Sequence, residues 1–274
     1  PPAPAPEPER LQAALARPRV AAAAAAAFAA FAAGVFGAGA PLLPLDAAVH
    51  EFVRAHTTLE WRLAVGEHLL SDGPIYLGFA AWVALTGAAL LLPAPAAAGA
   101  ARGRGAAAAA LAACWGVYLA ATGAVGRYDP PLVHTLKQMF ARVRPSNDFH
   151  RSFSFPSGHT TAAVFIIGAA LLVLLPLARR RLPGAAPGSS GRLPDGLALT
   201  AWAGASATVA CGRVAADAHW VSDTLAGASL AVACVAALAV TVEWIEDAAA
   251  AAAAGAAVEA AGGEEGARLV EDAE

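Results

Sequence analysis

The stretch AAVFIIGAALLVLLPL, residues 162–177, contains no charged side chain and forms most of a segment long enough to cross a lipid bilayer. A spanning helix needs about 20 predominantly apolar residues, and a second stretch of this kind, GFAAWVALTGAALLL, occupies residues 78–92. Working outward from these two, the sequence predicts six spans, at residues 20–40, 74–92, 105–125, 158–175, 197–214 and 221–245. We therefore expect an all-α, polytopic membrane protein.

The composition of the chain agrees with this fold class. Of the 274 residues, 58% are hydrophobic and only 14% are charged, whereas a soluble domain carries about 25% charged residues. So little charge argues against both a soluble globule and a disordered chain. The net charge of −3 gives no basic field for nucleic-acid binding. Cys114, Cys211 and Cys234 lie in apolar stretches without paired or metal-type spacing, so we expect small buried side chains rather than disulfides or a zinc site.

The predicted domain organisation has one membrane domain between two tails. The membrane domain covers residues 20–246, the N-terminal tail residues 1–19, and an acidic, Ala- and Gly-rich C-terminal tail residues 247–274. We expect disorder at both extremes, residues 1–10 and 255–274. The chain begins at Pro1 without a methionine, which leaves room for an upstream targeting segment. Residues 42–71 mix apolar and polar side chains, which favours one or two interfacial helices, with a connecting loop as the alternative.

Arginines in the short loops predict the orientation of the spans. They occur before the first span, between the second and third, and between the fourth and fifth, and six spans place all of these on the cytoplasmic side or its equivalent: Arg10, Arg17, Arg19, Arg102, Arg104, Arg179, Arg180, Arg181 and Arg192. The opposite side receives a segment, residues 126–157, that breaks the rule. It carries five cations: Arg127, Lys137, Arg142, Arg144 and Arg151. A basic cluster there indicates an anionic ligand.

The first candidate motif in this segment is K-x6-RP. Lys137 and Arg144 lie seven residues apart, close to two helical turns, so we expect both cations on one face of a helix that Pro145 ends. Two such cations suit a phosphate group, although a solvated basic face has the same pattern.

The second candidate motif, PSGH, stands directly before the fourth predicted span. Ser157 can cap the helix and Gly158 leaves its first backbone amides uncovered, which favours an anion site at the helix N-terminus. His159 falls in the first turn, where a merely interfacial histidine is the alternative.

The third candidate motif is R-x5-H-x3-D. His219 and Asp223 are four residues apart, so Asp223 is expected to hold one imidazole nitrogen and leave the other as a base or nucleophile. Arg213 converges with them only if the helix breaks between residues 215 and 218. The alternative is a His–Asp pair that only joins two spans. No spacing argument gives the nearby Asp217 a role.

Together, in this order and on one predicted membrane face, these three motifs resemble the signature motifs of the type 2 phosphatidic acid phosphatase (PAP2) superfamily. That family contains lipid phosphate phosphatases, undecaprenyl-diphosphate phosphatases, glucose-6-phosphatases and soluble vanadium haloperoxidases. The resemblance covers residues 137–223. One departure is Gly212, because the third motif usually opens with Ser-Arg. If that serine donates to the phosphate in relatives, the hydrogen bond is absent here or supplied by water.

The resemblance implies a membrane phosphatase with a PAP2-like helical core, and the orientation predicted from the arginines places its active site on the non-cytoplasmic face. It implies that His219 attacks phosphorus, that Asp223 orients the ring, and that His159 protonates the leaving group and then activates water. The implied phosphate-binding residues are Lys137, Arg144, Ser157, Gly158 and Arg213. Three fixed cations can replace a metal ion, so neither a metal nor another cofactor is expected. The implied substrate is a lipid phosphate, such as phosphatidic acid, drawn from the membrane.

Several alternatives stay open at this point. A polyprenyl (undecaprenyl-type) diphosphate fits the same chemistry, a sugar phosphate fits it less well, and six spans argue against a haloperoxidase. A divalent metal on His159, His219 and Asp223 would face three repelling cations. A lipid-binding or transport protein would need no nucleophile. The membrane can be a bacterial plasma membrane or that of a eukaryotic organelle such as plastid or endoplasmic reticulum, and the oligomeric state is open.

Overall fold

The computed structural model describes residues 18–92, 100–123, 130–146, 152–179 and 195–271, and all regular structure in these ranges is helical. Numbered in chain order, the helices are α1 (Pro18–Phe36), α2 (Leu43–His56), α3 (Leu59–Leu91), α4 (Ala100–Val117, continued by Tyr118–Thr122), α5 (Pro131–Phe140), α6 (Gly158–Arg179), α7 (Asp195–Ala215) and α8 (Val221–Glu271). Stretches of π-helix lie within α3, α4 and α6. The predicted all-α fold is confirmed.

Each of the six predicted spans coincides with a helix, although α1 ends at Phe36, before the predicted limit at residue 40. Five of these helices, α1, α3, α4, α6 and α8, are long and apolar enough to cross a membrane. The sixth, α7, has 21 residues, but Arg213 and its Ser, Thr and Gly residues make it less apolar. Helix α6 is almost entirely buried, whereas large apolar side chains such as Leu77, Leu91 and Trp244 are exposed on α3 and α8. This distribution fits a helical bundle surrounded by lipid.

Of two predictions about the less apolar segments, one needs correction and the other is confirmed. Disorder at residues 255–274 is wrong for residues 255–271, because α8 continues to Glu271 without a break at residue 247. Alanine has the highest helix propensity of all residues, and this segment is rich in it. Residues 1–10 lie outside the described residues. The helices predicted within residues 42–71 are confirmed in place of a loop, but the second is continuous with the span that ends at Leu91.

The site depends on how the central helices pack. Helix α6 lies between α3, α7 and α8, and α3 meets α7 through two glycines. A Cβ atom at Gly66 would lie 2.6 Å from the backbone nitrogen of Ala216, and one at Gly212 would lie 2.9 Å from the carbonyl oxygen of Gly66. Because no side chain fits at either position, the two backbones come into direct contact, and α3 is fixed against the end of α7.

Candidate active site

A break between α7 and α8 positions the candidate nucleophile. Helix α7 ends at Ala215 and α8 begins at Val221, and Asp217 between them has a left-handed backbone with φ of 57°. The turn folds back, so that the backbone nitrogens of Ala218 and His219 each lie 3.2 Å from the carbonyl oxygen of Arg213. The predicted helix break is therefore confirmed. His219 precedes α8 instead of sharing a helical face with Asp223.

The two ring nitrogens of His219 contact groups of opposite charge. Nε2 lies 2.9 Å from Nη1 of Arg144, and Nδ1 lies 3.3 Å from Oδ2 of Asp223. A guanidinium can only donate, so Nε2 accepts and Nδ1 carries the proton that is shared with Asp223. Burial lowers the pKa of His219 well below 6.5, and the positive charges of Arg144 and Arg213 lower it further. The ring is thus neutral at neutral pH, and its Nε2 lone pair accepts from Arg144.

Arg142 holds the far side of Asp223, a contact that the sequence analysis missed. Its Nη1 donates to Oδ1 of Asp223 at 2.6 Å and to the hydroxyl of Ser222 at 2.7 Å, while Nη2 donates to Oδ2 of Asp46 at 2.7 Å. All four side chains are buried. In the sequence, Arg142 is marked only as one of the five cations in residues 126–157. Nothing in the sequence indicates a role for Asp46 on α2. Arg142 therefore neutralises the negative charge of two buried carboxylates beside the candidate nucleophile.

Arg144 lies in the site, but it is not on the helix that the sequence predicted. Helix α5 ends at Phe140 because Ala141 adopts a left-handed conformation with φ of 46°, and the chain from Ala141 to Arg144 is not helical. Lys137 and Arg144 therefore do not share a helical face, which corrects the prediction. The guanidinium of Arg144 is fixed by backbone oxygens instead. Nε donates to Ser152 and Nη1 to Ala218, both at 2.7 Å.

The N-terminus of α6 forms another wall of the site. Ser157 caps the helix as predicted, and its hydroxyl accepts from the backbone nitrogen of Thr160 at 3.4 Å. The backbone nitrogen of Ser157 donates to the carbonyl oxygen of Asp223 at 3.0 Å, which joins the second motif to the third. Buried Lys137 places its Nζ 3.7 Å from where a Cβ of Gly158 would lie. A cation and a helix N-terminus are therefore adjacent, an arrangement that favours anions.

Arg213 is completely buried, and its Nη1 lies 2.6 Å from Oε2 of Glu67 on α3. The preceding Gly212 is explained by the packing of the same helix. A Cβ atom at Gly212 would lie 2.7 Å from both Cβ of Leu70 and Oγ of Ser71. The space that a serine side chain would need at this position is therefore filled by α3.

Asp217 is a second residue that the sequence analysis left without a role. Its carboxylate is 2% exposed and accepts from three side chains on α2 and α3: His50 at 2.6 Å, Arg54 at 3.2 Å and Arg62 at 2.9 Å. These contacts anchor the turn that carries His219.

The structure brings the predicted site residues into one cluster. Arg144 and Asp223 contact His219. Lys137, His159 and Arg213 lie close enough for their charges to lower the pKa of His219. Ser157 belongs to the cluster because its backbone nitrogen donates to Asp223, and Gly158 because it lies beside Lys137. Arg127 and Arg151 lie outside the described residues. The cluster places several cations around the neutral imidazole of His219, an arrangement that can hold an anion.

A metal site was one of the alternatives. Among the described residues, the carboxylate and imidazole groups close enough to hold an ion are Glu67, Asp72 and His159, whose ligand atoms lie within 4.8 Å of one another. This set shares only His159 with the triad His159, His219 and Asp223 considered from the sequence, and Glu67 is already paired with Arg213.

The comparisons with known proteins agree with this geometry. A family model for the PAP2 superfamily matches residues 105–247, more than half of the chain and including all three motifs. The chain belongs to the PAP2 superfamily. In fold, this PAP2 protein resembles the crystal structure of the first transmembrane PAP2-type phosphatidylglycerolphosphate phosphatase from Bacillus subtilis, with a TM-score of 0.55 and 19% sequence identity. The match covers 83% of this chain and 96% of that chain.

No curated protein matches the chain at a significant level. Family membership and the five apolar helices together make it a multi-pass membrane enzyme of the PAP2 phosphatase type.

Proposed function

We propose that this PAP2 protein is a metal-independent phosphatase that hydrolyses lipid phosphates through a phosphohistidine on His219. The observation that carries the proposal is the ring of His219, whose Nε2 faces Arg144 and whose Nδ1 faces Asp223. A buried, neutral imidazole held in one tautomer beside fixed cations is suited to attack an anionic phosphate, which it could not do as an imidazolium.

The first step transfers the phosphoryl group to the protein. Nε2 of His219 forms a bond to phosphorus as the bond from phosphorus to the ester oxygen breaks, and His159 gives that oxygen a proton. The imidazole becomes positively charged, and ionised Asp223 stabilises it through Nδ1. Lys137, Arg144, Arg213 and the N-terminus of α6 hold the phosphoryl oxygens, on which negative charge is concentrated.

The second step releases inorganic phosphate. His159, now neutral, accepts a proton from a water molecule as that water attacks phosphorus and the bond to Nε2 breaks. His219 returns to its neutral form and His159 to its protonated form, so both residues are ready for another cycle. No step requires a metal ion, because fixed cations neutralise the phosphate.

Lipid phosphates are the substrate class that the position of the site supports best. The residues that bind the phosphate stand at the ends of α5 and α7 and at the start of α6, and α6 and its neighbours are apolar. A headgroup can therefore enter sideways while its acyl chains remain in the bilayer. We propose phosphatidic acid or a related lipid, including the phosphatidylglycerolphosphate named for the similar structure. A polyprenyl diphosphate is the alternative. We place the active site on the non-cytoplasmic face.

Phosphate release from the detergent-solubilised protein tests the proposal. The substrates are phosphatidic acid, phosphatidylglycerolphosphate and a polyprenyl diphosphate, each with and without EDTA. We expect EDTA-resistant release that His219→Ala reduces by about 10⁴-fold or more. His56→Ala is the matched control, because His56 is exposed and its ring contacts the carbonyl oxygen of Phe52 on its own helix. Activity that survives His219→Ala, or that EDTA abolishes, contradicts the mechanism; release from no substrate favours a binding or transport protein.

A further inference from the structure

Helix α3 places a carboxylate against the second histidine of the site. Nε2 of His159 lies 3.4 Å from Oδ1 of Asp72, and both side chains are partly buried, at 26% and 20% exposure. The pair therefore matches the His219–Asp223 pair in composition and spacing, since those atoms lie 3.3 Å apart. Asp72 lies outside the three sequence motifs and on a different helix from His159.

The position of Asp72 is fixed by the packing of α3. Residues Arg62–Asp72 are π-helical, a conformation that is frequent at functional sites. Inside this segment, the hydroxyl of Ser71 donates to the carbonyl oxygen of Gly66 at 2.8 Å, and Gly66 packs against the end of α7. Asp72 thus lies on a helical segment that packs directly against the turn carrying His219.

The same segment places a second carboxylate, Glu67, on Arg213. Glu67, Asp72 and His159 bring their oxygen and nitrogen atoms within 4.8 Å of one another, a spacing that could hold a cation. The guanidinium of Arg213 already supplies that positive charge, 2.6 Å from Oε2 of Glu67. A divalent ion would have to approach this guanidinium, so Glu67 is better explained as the partner of Arg213. Asp72 is better explained as the partner of His159 and of His68, whose Nδ1 lies 3.3 Å from its Oδ2.

We propose that Asp72 is a positioning residue that orients His159 as the general acid and stabilises its imidazolium form. This inference rests on the proposed function. Nε2–H of His159 donates to Asp72, which leaves Nδ1–H as the proton that passes to the leaving oxygen when the phosphorus–oxygen bond breaks. Asp72 remains ionised throughout. Its negative charge stabilises the imidazolium before the transfer and again after His159 takes a proton from water.

The consequence is a dependence on the leaving group. An alkoxide, which leaves when a lipid phosphate is cleaved, needs a proton in the transition state, whereas nitrophenolate is stable enough to leave without one. Weakening the acid therefore slows phosphoryl transfer from alkyl phosphates and spares the transfer from activated aryl phosphates. Hydrolysis of the phosphohistidine, in which His159 acts as the base, is common to both substrates, so the selectivity is measured in kcat/KM. A change that merely disturbed the phosphate-binding residues would slow both.

The experiment compares wild type with Asp72→Asn, using phosphatidic acid and p-nitrophenyl phosphate as substrates and vanadate as a phosphate-like inhibitor. We expect Asp72→Asn to lower kcat/KM on phosphatidic acid by about 10- to 100-fold with vanadate inhibition unchanged, and to spare kcat/KM for the aryl ester. His159→Ala should give a larger loss with the same selectivity. Asp72→Glu, which keeps the charge, should recover part of the lost activity.

Each other outcome counts against a specific claim. Equal losses of kcat/KM on both substrates, or weaker vanadate inhibition, would show that Asp72 only maintains the structure. Unchanged kinetics on phosphatidic acid would also overturn the inference, as would loss of wild-type activity in EDTA. No turnover of any lipid phosphate by wild type would instead refute the proposed function, which separates the two failures.

Discussion

The two histidines of the site sit in contrasting surroundings. The side chain of His219 is 1% exposed, and both of its ring nitrogens are held by side chains that are themselves fixed: Arg144 by backbone oxygens, and Asp223 by Arg142. The side chain of His159 is 26% exposed, and its Nε2 lies 3.4 Å from Asp72 on a neighbouring helix. A nucleophile gains from a fixed ring and a neutral charge, whereas an acid–base group must exchange protons with a leaving group and with water. The difference in burial thus follows the difference in proposed role.

The largest effect is expected on the His219 side of the site, from a substitution of Arg142. Arg142→Gln removes the buried cation between Asp46 and Asp223, and we expect it to destabilise the fold by about 3–5 kcal/mol, because two buried carboxylates lose their partner. Thermal unfolding of the solubilised protein measures this loss. Arg54→Gln is the matched control, since Arg54 also pairs with a carboxylate but its side chain is 47% exposed. Adding Asp46→Asn to Arg142→Gln should recover part of the stability. Equal unfolding temperatures for the two arginine variants would show that the His219 side is not specially fixed.

The surroundings of His159 can be changed by moving α3, which carries Glu67 and Asp72. In Gly212→Ser the new Cβ meets Leu70, Ser71 and the backbone of Gly66 below 3 Å, so α3 must move away from α7 together with Glu67 and Asp72. We expect a loss of about 1–3 kcal/mol and a kcat that falls because the His159 side shifts. Gly204→Ser on the same helix is the control, because a Cβ there meets nothing within 4 Å. If Gly212→Ser unfolds and turns over like wild type, the close contact of α3 and α7 does not position the site.

The smallest effect is a pH dependence that belongs to His219. Burial and the surrounding cations lower the pKa of His219 well below 6.5 in the folded protein. Below pH 6.5 the unfolded chain therefore binds a proton that the folded chain excludes, so this residue stabilises the fold above pH 6.5 and the stabilisation is lost as the pH falls. Unfolding temperatures of wild type and His219→Ala should converge as the pH is lowered from 7.5 to about 5. A difference that stays constant over this range would contradict a neutral, buried His219.

Local patterns in the sequence predicted most of the fold and most of the residues of the candidate site. Long apolar segments predict helices without knowledge of their partners, and the cap at Ser157 depends on neighbours only three residues away. The end of α5 could not be predicted, because a left-handed alanine at Ala141 has no local signal. The pairings of Asp46 with Arg142, of Asp72 with His159 and of Asp217 with Arg62 join residues far apart in the chain. They depend on how α2 and α3 pack against the turn and the motifs, which spacing alone does not determine.

The central claim is that Nε2 of His219 becomes covalently bonded to phosphorus during turnover. Trapping the intermediate from a lipid substrate with a ³²P-labelled phosphate group tests this directly. The reaction is quenched in base, where a phosphohistidine is stable, and the label is then exposed to acid, where it is lost. We predict acid-labile label on wild type, located on His219, and none on His219→Ala, with His56→Ala labelled like wild type. Turnover without labelled protein, or label that persists in His219→Ala, would contradict the account.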